Sequence, residues 1–203
     1  MEVNKKDLKE QEIRTLFITP ALQQKGWAVS VNMREEYYFT DGRVLVVGNQ
    51  HSVAEGKKAD YLLYHNGKPI AVVEAKDNKH SVGAGMQQAI EYALILDLKF
   101  AYSSNGDAFL EHDFITGKET EIKLEDFPTE DELYNRYLAS KSYTSDELHI
   151  IETPFYYDAH SHEPRYYQRI AVDRTVEAIA KGQQRVLVAV SYTHLTLPTN
   201  SRV

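Results

Sequence analysis

The sequence predicts an α/β fold in which a mixed central sheet is flanked by helices. Three stretches carry that expectation. Residues 61–73 read as a β-hairpin: Tyr61–His65 is aromatic and apolar, Asn66-Gly67 is a strong turn signal, and Ile70–Val73 is a continuous apolar run suited to a strand buried on both faces. Met86–Leu98 has a broad apolar helical face built from Met86, Ala89, Ile90, Ala93, Leu94 and Leu96–Leu98. Lys99–Ser104, Ala108–His112 and the segment GKETEIKL then form a meander that extends the sheet, with turns at Asn105-Gly106 and Thr116-Gly117.

The remaining elements follow in order. Lys5–Ile18 has helical spacing in Leu8, Ile13, Leu16 and Phe17; Thr19-Pro20 predicts a boundary or brief interruption before ALQQKG, which ends at a Gly26 cap. Trp27–Met33 is an expected strand, Arg34–Tyr38 a polar and aromatic stretch, and RVLVVG a second strand after an Asp41-Gly42 turn. Residues 49–58 have loop composition, and 77–85 is a polar loop whose Gly83 and Gly85 suit either a phosphate approach or a flexible helix entry. Thr129, with Glu132 at capping-box spacing, starts the helix DELYNRYLAS. Pro164–Gly182 is a helix marked at both ends, and QRVLVAV after it reads as a buried strand.

Composition narrows the function classes. The 203 residues include no cysteine, which excludes disulfide scaffolds, thiolate metal sites and cysteine nucleophiles. No apolar stretch approaches the roughly 18 residues of a membrane span, and the charged start MEVNKKDLKE is no signal peptide, so no membrane association and a cytoplasmic location are expected. The net charge of −7 argues against strong unaided binding to nucleic acid, whose affinity comes largely from phosphate contacts. Local basic spots remain at Lys57-Lys58 and at Lys76, Lys79 and His80.

Chemistry concentrates where the hairpin ends. Glu74 and Lys76 share a face because side chains alternate along a strand, and Asp60 stands one hairpin arm upstream. Two carboxylates and a lysine suit a metal-dependent phosphodiesterase, with oxygen ligands for a hard divalent cation and a lysine to orient or deprotonate water. The same residues also suit a surface ion pair, since Glu-x-Lys occurs three times, beginning at Glu55, Glu74 and Glu121. Register discriminates. A plain two-residue Asn66-Gly67 loop sets Asp60 opposite Val73, leaving Asp60 and Glu74 on opposite faces. An odd loop such as 65–67, or a bulge, restores a common face, with Asp60 diagonal to Glu74 at about 7–8 Å. The metal reading therefore requires an odd loop or a bulge.

The strings GKKADYLLY, KPIAVVEAKDNKHSVGAGMQQAIEYA and FAYSSNGDAFLEHD resemble the nuclease domain of the motor (R) subunit of type I restriction–modification enzymes, within the PD-(D/E)xK superfamily. EIRTLFITPALQQKGW is similar to that family's opening helix and DFPTEDELYNRY to the end of its nuclease domain, so the resemblance covers residues 10–190. Ala59 stands where the superfamily has proline. The resemblance implies a restriction-endonuclease-like core at 1–140, a connector at 141–163, the start of a helicase-like motor domain at 164–190, and a non-native tail at 191–203, where SYTHLTLPTNSRV reads as adaptor sequence.

The same resemblance implies roles. Asp60, Glu74 and the Ala75 backbone carbonyl would bind Mg²⁺, and Lys76 would position or activate water. Glu12 of the opening helix is either a further ligand or a solvated helix residue. Gln88 and Tyr92, four apart and so neighbours on one helix face, match a Gln-x-x-x-Tyr motif that supports the site or contacts DNA, or else belong to a partly buried helix face. Gln168, behind Tyr166-Tyr167, matches the adenine-reading glutamine of the motor, but no Gly-x-x-x-x-Gly-Lys-Ser/Thr follows; ATP is expected only in the full-length parent. The implied function is metal-dependent endonucleolytic cleavage of double-stranded DNA by a type I site-specific deoxyribonuclease R subunit, working with methyltransferase and specificity subunits. The alternative is a non-cutting docking or DNA-binding module of the same complex.

Overall fold

A six-stranded sheet in the order β1-β4-β5-β6-β7-β8 organises the first part of the chain. The computed structural model describes residues 4–40, 44–47, 50–53, 56–153 and 164–188. The strands of this sheet are β1 (Met33–Thr40), β4 (Gly56–His65), β5 (Lys68–Ala75), β6 (Phe100–Ser104), β7 (Ala108–Asp113) and β8 (Lys118–Lys123). All neighbours are antiparallel except β5 and β6, which are parallel and joined through helix α3 (Met86–Leu96). Strands β2 (Val44–Val47) and β3 (Gln50–Val53) form a separate antiparallel pair. This is the predicted α/β class.

The opening helix runs through residues 10–24 as α1 (Glu10–Ile13), a wider π-type stretch at Arg14–Ile18 and α2 (Thr19–Gln24). The predicted break at Thr19-Pro20 does not occur. Proline lacks an amide donor, and the widened turn before it absorbs the mismatch without ending the helix. Gly26, at φ +88°, closes the end as expected.

Trp27–Asn32, short of β1, is a loop and turn and not the expected strand. The Ala28 carbonyl accepts from the amides of Val31, Asn32 and Met33, and Ser30 takes a left-handed φ of +67°. Trp27 is fully buried and its Nε1 donates to the Pro128 carbonyl at 2.9 Å, so its hydrophobicity serves a plug. The polar stretch 34–38 is instead part of β1; an edge strand keeps one side in water and tolerates charge. The expected loop at 49–58 likewise holds β3 and the start of β4. The Asp41-Gly42 turn lies outside the described residues.

One face of the sheet packs on the opening helix and α4 (Glu130–Lys141), burying Ile13, Ile18, Trp27, Tyr61, Leu63, Val73, Phe100, Tyr102, Phe109, Phe127 and Leu133 in one core. Burial of such side chains contributes about 1.5–3 kcal/mol each. Arg136 of α4 clamps this face: its Nη1 and Nη2 donate to Glu111 at 2.8 and 2.7 Å, and Nη2 also to Asp113 Oδ2 at 2.9 Å. The α4 start carries the predicted cap, with Thr129 and Glu132 bonded reciprocally. The opposite face, with Leu62, Val72, Glu74, Ala101 and Ser103, lies under α3.

The chain divides into two compact units, Met1–Tyr143 and Thr144–Val203. The second contains α5 (Ser145–Ile151), capped by Thr144, and α6 (Tyr166–Ala180), closed by Gly182 at φ +77°. Part of the predicted connector is thus helical. The predicted strand after α6 is absent among the described residues: Val186, Leu187 and Val188 are exposed. An apolar run becomes a buried strand only beside other strands, and the described part of this unit has none. Residues 191–203 lie outside the described residues.

Candidate active site

Two adjacent strands part at this site. The β4–β5 hairpin turns at Asn66 and Gly67, whose φ values of +47° and +76° make the two-residue turn that Asn-Gly favours. His65 pairs with Lys68 and Tyr64 with Pro69, but Leu63 then pairs with Ala71, so Ile70 is an extra residue in β5. That bulge shifts the register by one. Beyond it Tyr61 opposes Val73, and the same register sets Asp60 directly opposite Glu74. The requirement for a bulge or odd loop is met by the bulge, and the carboxylates are opposite rather than diagonal.

Past Tyr61 the main-chain pairing with β5 stops, although β4 continues against β1 to Gly56. Side chains take over. The Asp60 amide donates to Glu74 Oε1 at 3.3 Å, and the Ala75 amide donates to Asp60 Oδ2 at 2.9 Å. Because the amide and carbonyl of one strand residue point to the same edge, the Ala75 carbonyl also faces the Asp60 side. Asp60 and Glu74 are both buried, Glu74 to 1% exposure. Burial first, then the negative charge of Asp60, push the Glu74 carboxyl up to about 8.

Lys76 follows Glu74 on the same face; its amide continues the ladder to the Ser104 carbonyl at 2.9 Å. Its Nζ donates to Gln88 Oε1 at 3.3 Å, and Gln88 Nε2 donates to the Tyr92 hydroxyl at 2.9 Å. The Gln-x-x-x-Tyr pair thus forms a relay from α3 to Lys76. Tyr92 is itself wedged edge-on against Phe39, with ring centroids 5.1 Å apart.

Several further residues make local contacts. Glu12 lies away from the pair's hydrogen bonds: its Oε2 accepts from the Lys9 amide at 2.8 Å and closes the helix start. The opening-helix acid whose charge acts on Glu74 is Glu10. Gly85 offers no free amide for a phosphate, because that amide donates to Ser103 Oγ at 3.0 Å. Its importance is steric. A Cβ there would lie 3.0 Å from Ser103 Oγ and 3.2 Å from Glu74 Cβ, tighter than ordinary contact, and 3.5 Å from Lys76 Cε, so glycine lets the α3 entry settle closely on Ser103 and Glu74. Gln168 Oε1 accepts from the Arg165 amide at 2.9 Å, a capping role. Of the basic spots, Lys57 is paired with Glu91, Lys58 with Glu36 at 3.3 Å, and His80 with Asp77 at 2.8 Å.

The sequence reading missed Arg14. It is buried to 5% exposure, its Nη1 lies 3.2 Å from Asp60 Oδ1 and 3.1 Å from Glu36 Oε1, and its guanidinium stacks 5.0 Å from the Tyr61 ring centroid. A signal existed. Arg14 stands four before Ile18 and seven before Ala21, both buried, so a charge occupies the apolar stripe of the helix.

The donor set is all oxygen: two carboxylates and a main-chain carbonyl. Among the described residues no group of three or more His, Cys, Asp or Glu side chains surrounds a common point. A site of two carboxylates fits Mg²⁺, which keeps several waters and takes substrate phosphate oxygens as its other ligands. No helix among the described residues is long and apolar enough to cross a membrane.

Residues 7–120 match the family described as type I restriction enzyme R protein N terminus. The chain is 40% identical over 195 residues to the type I restriction enzyme EcoAI endonuclease subunit of Escherichia coli, covering 94% of this chain and 24% of that protein. Among solved structures it is similar to a fragment described as an HsdR subunit of a type I restriction enzyme from Vibrio vulnificus YJ016, with TM-score 0.73 and 42% identity over 88% of this chain and 34% of that one. The chain therefore spans about a quarter of the curated relative and about a third of the solved fragment.

Proposed function

Because the chain belongs to the family of type I restriction enzyme R protein N-terminal domains, we propose that it performs metal-dependent endonucleolytic cleavage of double-stranded DNA within such an enzyme. The observation that carries this reading is the convergence of Asp60, Glu74 and Lys76 where β4 and β5 part. Asp60, Glu74 and the Ala75 carbonyl would hold Mg²⁺. When bound, such a cation polarises the scissile phosphate and stabilises the charge developing on its oxygens.

The chain's own groups do the rest. The two amide-to-carboxylate hydrogen bonds, Asp60 N–H to Glu74 Oε1 and Ala75 N–H to Asp60 Oδ2, fix the carboxylates before any ligand arrives. Lys76 orients the attacking water or takes its proton, with Gln88 and Tyr92 holding its Nζ in place. Lys57 and Lys58 are already paired with acids and the chain is acidic overall, which favours delivery of DNA by methyltransferase and specificity subunits over capture by this chain alone. ATP acts in this scheme only in the full-length parent.

Nicking of supercoiled plasmid in Mg²⁺, by the chain alone and assembled with its partner subunits, tests the reading against Lys76→Ala. Metal-dependent nicking lost in the variant is the expected result. Cleavage at full rate in Lys76→Ala would overturn it. DNA retention by both proteins with no cleavage by either would make this a docking module.

A further inference from the structure

Among the described residues, Arg14 is the one cation with an ion pair to the carboxylate pair, through Asp60. It is also shared. Nη1 sits 3.2 Å from Asp60 Oδ1 and 3.1 Å from Glu36 Oε1, while Nη2 lies 3.5 Å from the Asp60 carbonyl and Nε 3.5 Å from the Tyr61 hydroxyl. The guanidinium comes from the opening helix, and the π-type stretch of that helix begins at Arg14 itself. Glu36, by the β1–β4 register, lies across from Asp60, as Glu74 does from the other strand. Its left-handed φ of +51° interrupts the regular pairing at that step, and its carboxylate reaches Arg14 and Lys58. Glu36 is substantially exposed, whereas Arg14 and Asp60 are buried.

A divalent cation and a guanidinium compete for the same carboxylate, because they share its oxygen lone pairs and repel each other as like charges. An arginine with a second acceptor within reach has somewhere to go. We propose that Arg14 is a positioning residue that balances the charge of Asp60 in the cation-free protein and yields toward Glu36 when a divalent cation binds, so that the Arg14–Glu36 pair sets the site's cation affinity. This rests on the metal-dependent reading above, and it assigns Glu36 a role that no metal ligand or DNA contact requires.

Two substitutions then act in opposite directions. Arg14→Gln removes the competitor and tightens cation binding, whereas Glu36→Gln removes the alternative acceptor, leaves Arg14 wholly on Asp60 and weakens it. A merely structural arginine would weaken binding when lost, because Asp60 would be less well held. Loss of the Glu36 charge alone would also weaken binding, so the double variant is decisive: if Glu36 acts through Arg14, Glu36→Gln has little further effect in the Arg14→Gln background.

The measurement is calorimetric titration of the full chain with MgCl₂, with Asp60→Asn as the blank and circular dichroism as the check on folding. The expected result is at least about fivefold tighter binding in Arg14→Gln, about threefold weaker binding in Glu36→Gln, and near-equality of Arg14→Gln and the double variant. Arg14→Lys keeps a cation and should stay near the native affinity. Should Arg14→Gln not fold, Glu36→Gln together with Arg14→Lys, which lacks the fork that spans both acids, still tests the sharing: the Glu36 effect should shrink in the lysine background. Native binding through Asp60 with Arg14→Gln equal or weaker, or a Glu36 effect undiminished in the Arg14 variants, would overturn the inference and leave the metal reading standing. Absence of Asp60-dependent binding in every variant would overturn both.

Discussion

The Asp60 amide donates to Glu74 Oε1 at 3.3 Å while Asp60 Oδ2 accepts from the amide of Ala75, the residue after Glu74, at 2.9 Å. Each strand's carboxylate therefore replaces a main-chain partner for the other strand, and the two are fixed in position without a ligand. Near-isosteric substitution separates charge from shape. Asp60→Asn and Glu74→Gln should each lower DNA cleavage by at least about 10²-fold in the assembled enzyme. Loss of the Arg14 pairing in Asp60→Asn should cost about 1–3 kcal/mol of stability, read from denaturant unfolding. Cleavage near the native rate in either variant would remove the pair from the chemistry.

The Lys76–Gln88–Tyr92 relay predicts a graded series. Gln88 bonds the ammonium directly, whereas Tyr92 bonds only the carboxamide that does so. Gln88→Ala should therefore reduce cleavage more than Tyr92→Phe, by about tenfold against a few-fold, as expected when positioned proton-transfer groups lose their orientation. Single-turnover rates on plasmid give the comparison. Equal effects would indicate that the Tyr92 hydroxyl acts by some route other than its bond to Gln88.

Gly85 joins two levels of the structure. A methyl group there would meet Ser103 Oγ at 3.0 Å and Glu74 Cβ at 3.2 Å, both buried. One side must then give by a few tenths of an ångström, and movement of the α3 entry would carry Gln88 away from Lys76. Gly85→Ala should cost about 1–3 kcal/mol, as overpacked cores do. It should also lose more activity than that stability change explains at temperatures where it remains folded. An alanine variant with native cleavage at such a temperature would show that the α3 entry is not what holds Lys76.

The sheet's central strands, α3, the meander and the Thr129 cap were legible because each carries a local signal: an apolar run, helical spacing, a turn dipeptide, a capping pair. The bulge at Ile70 was not. Sequence fixed only its necessity, since Asn66-Gly67 favours the two-residue turn that is in fact present and Asp60 can face Glu74 only if one residue is absorbed elsewhere. Where the extra residue goes depends on packing; Ile70 and Ala71 both join the core beneath the sheet. Trp27 misled because a large apolar residue signals burial without saying in which element. Arg14 was missed because its meaning depends on Asp60, forty-six residues away in sequence and in contact only after the helix docks.

Glu74 makes the cation-free protein sensitive to pH with a definite sign. Burial, then the Asp60 charge, raise its carboxyl from the ordinary 4.5 to about 8. Between those values the folded state holds a proton that the unfolded state has released, so stability falls as pH rises through this window. Below about 4.5 both states are protonated and the group costs nothing; above about 8 the full penalty, on the order of a few kcal/mol, is present. A divalent cation bound at the same carboxylate supplies positive charge in place of the proton and offsets that penalty. The melting temperature in chelator should therefore drop between pH 5.5 and 8.5 more in the native protein than in Glu74→Gln, which has no proton to lose. Added Mg²⁺ should restore it at pH 8.5 and do little at pH 5.5, where the proton competes. A chelator profile that is the same in both proteins would mean that Glu74 is ionised throughout, and a Mg²⁺ effect as large at pH 5.5 as at 8.5 would mean that the cation binds somewhere else.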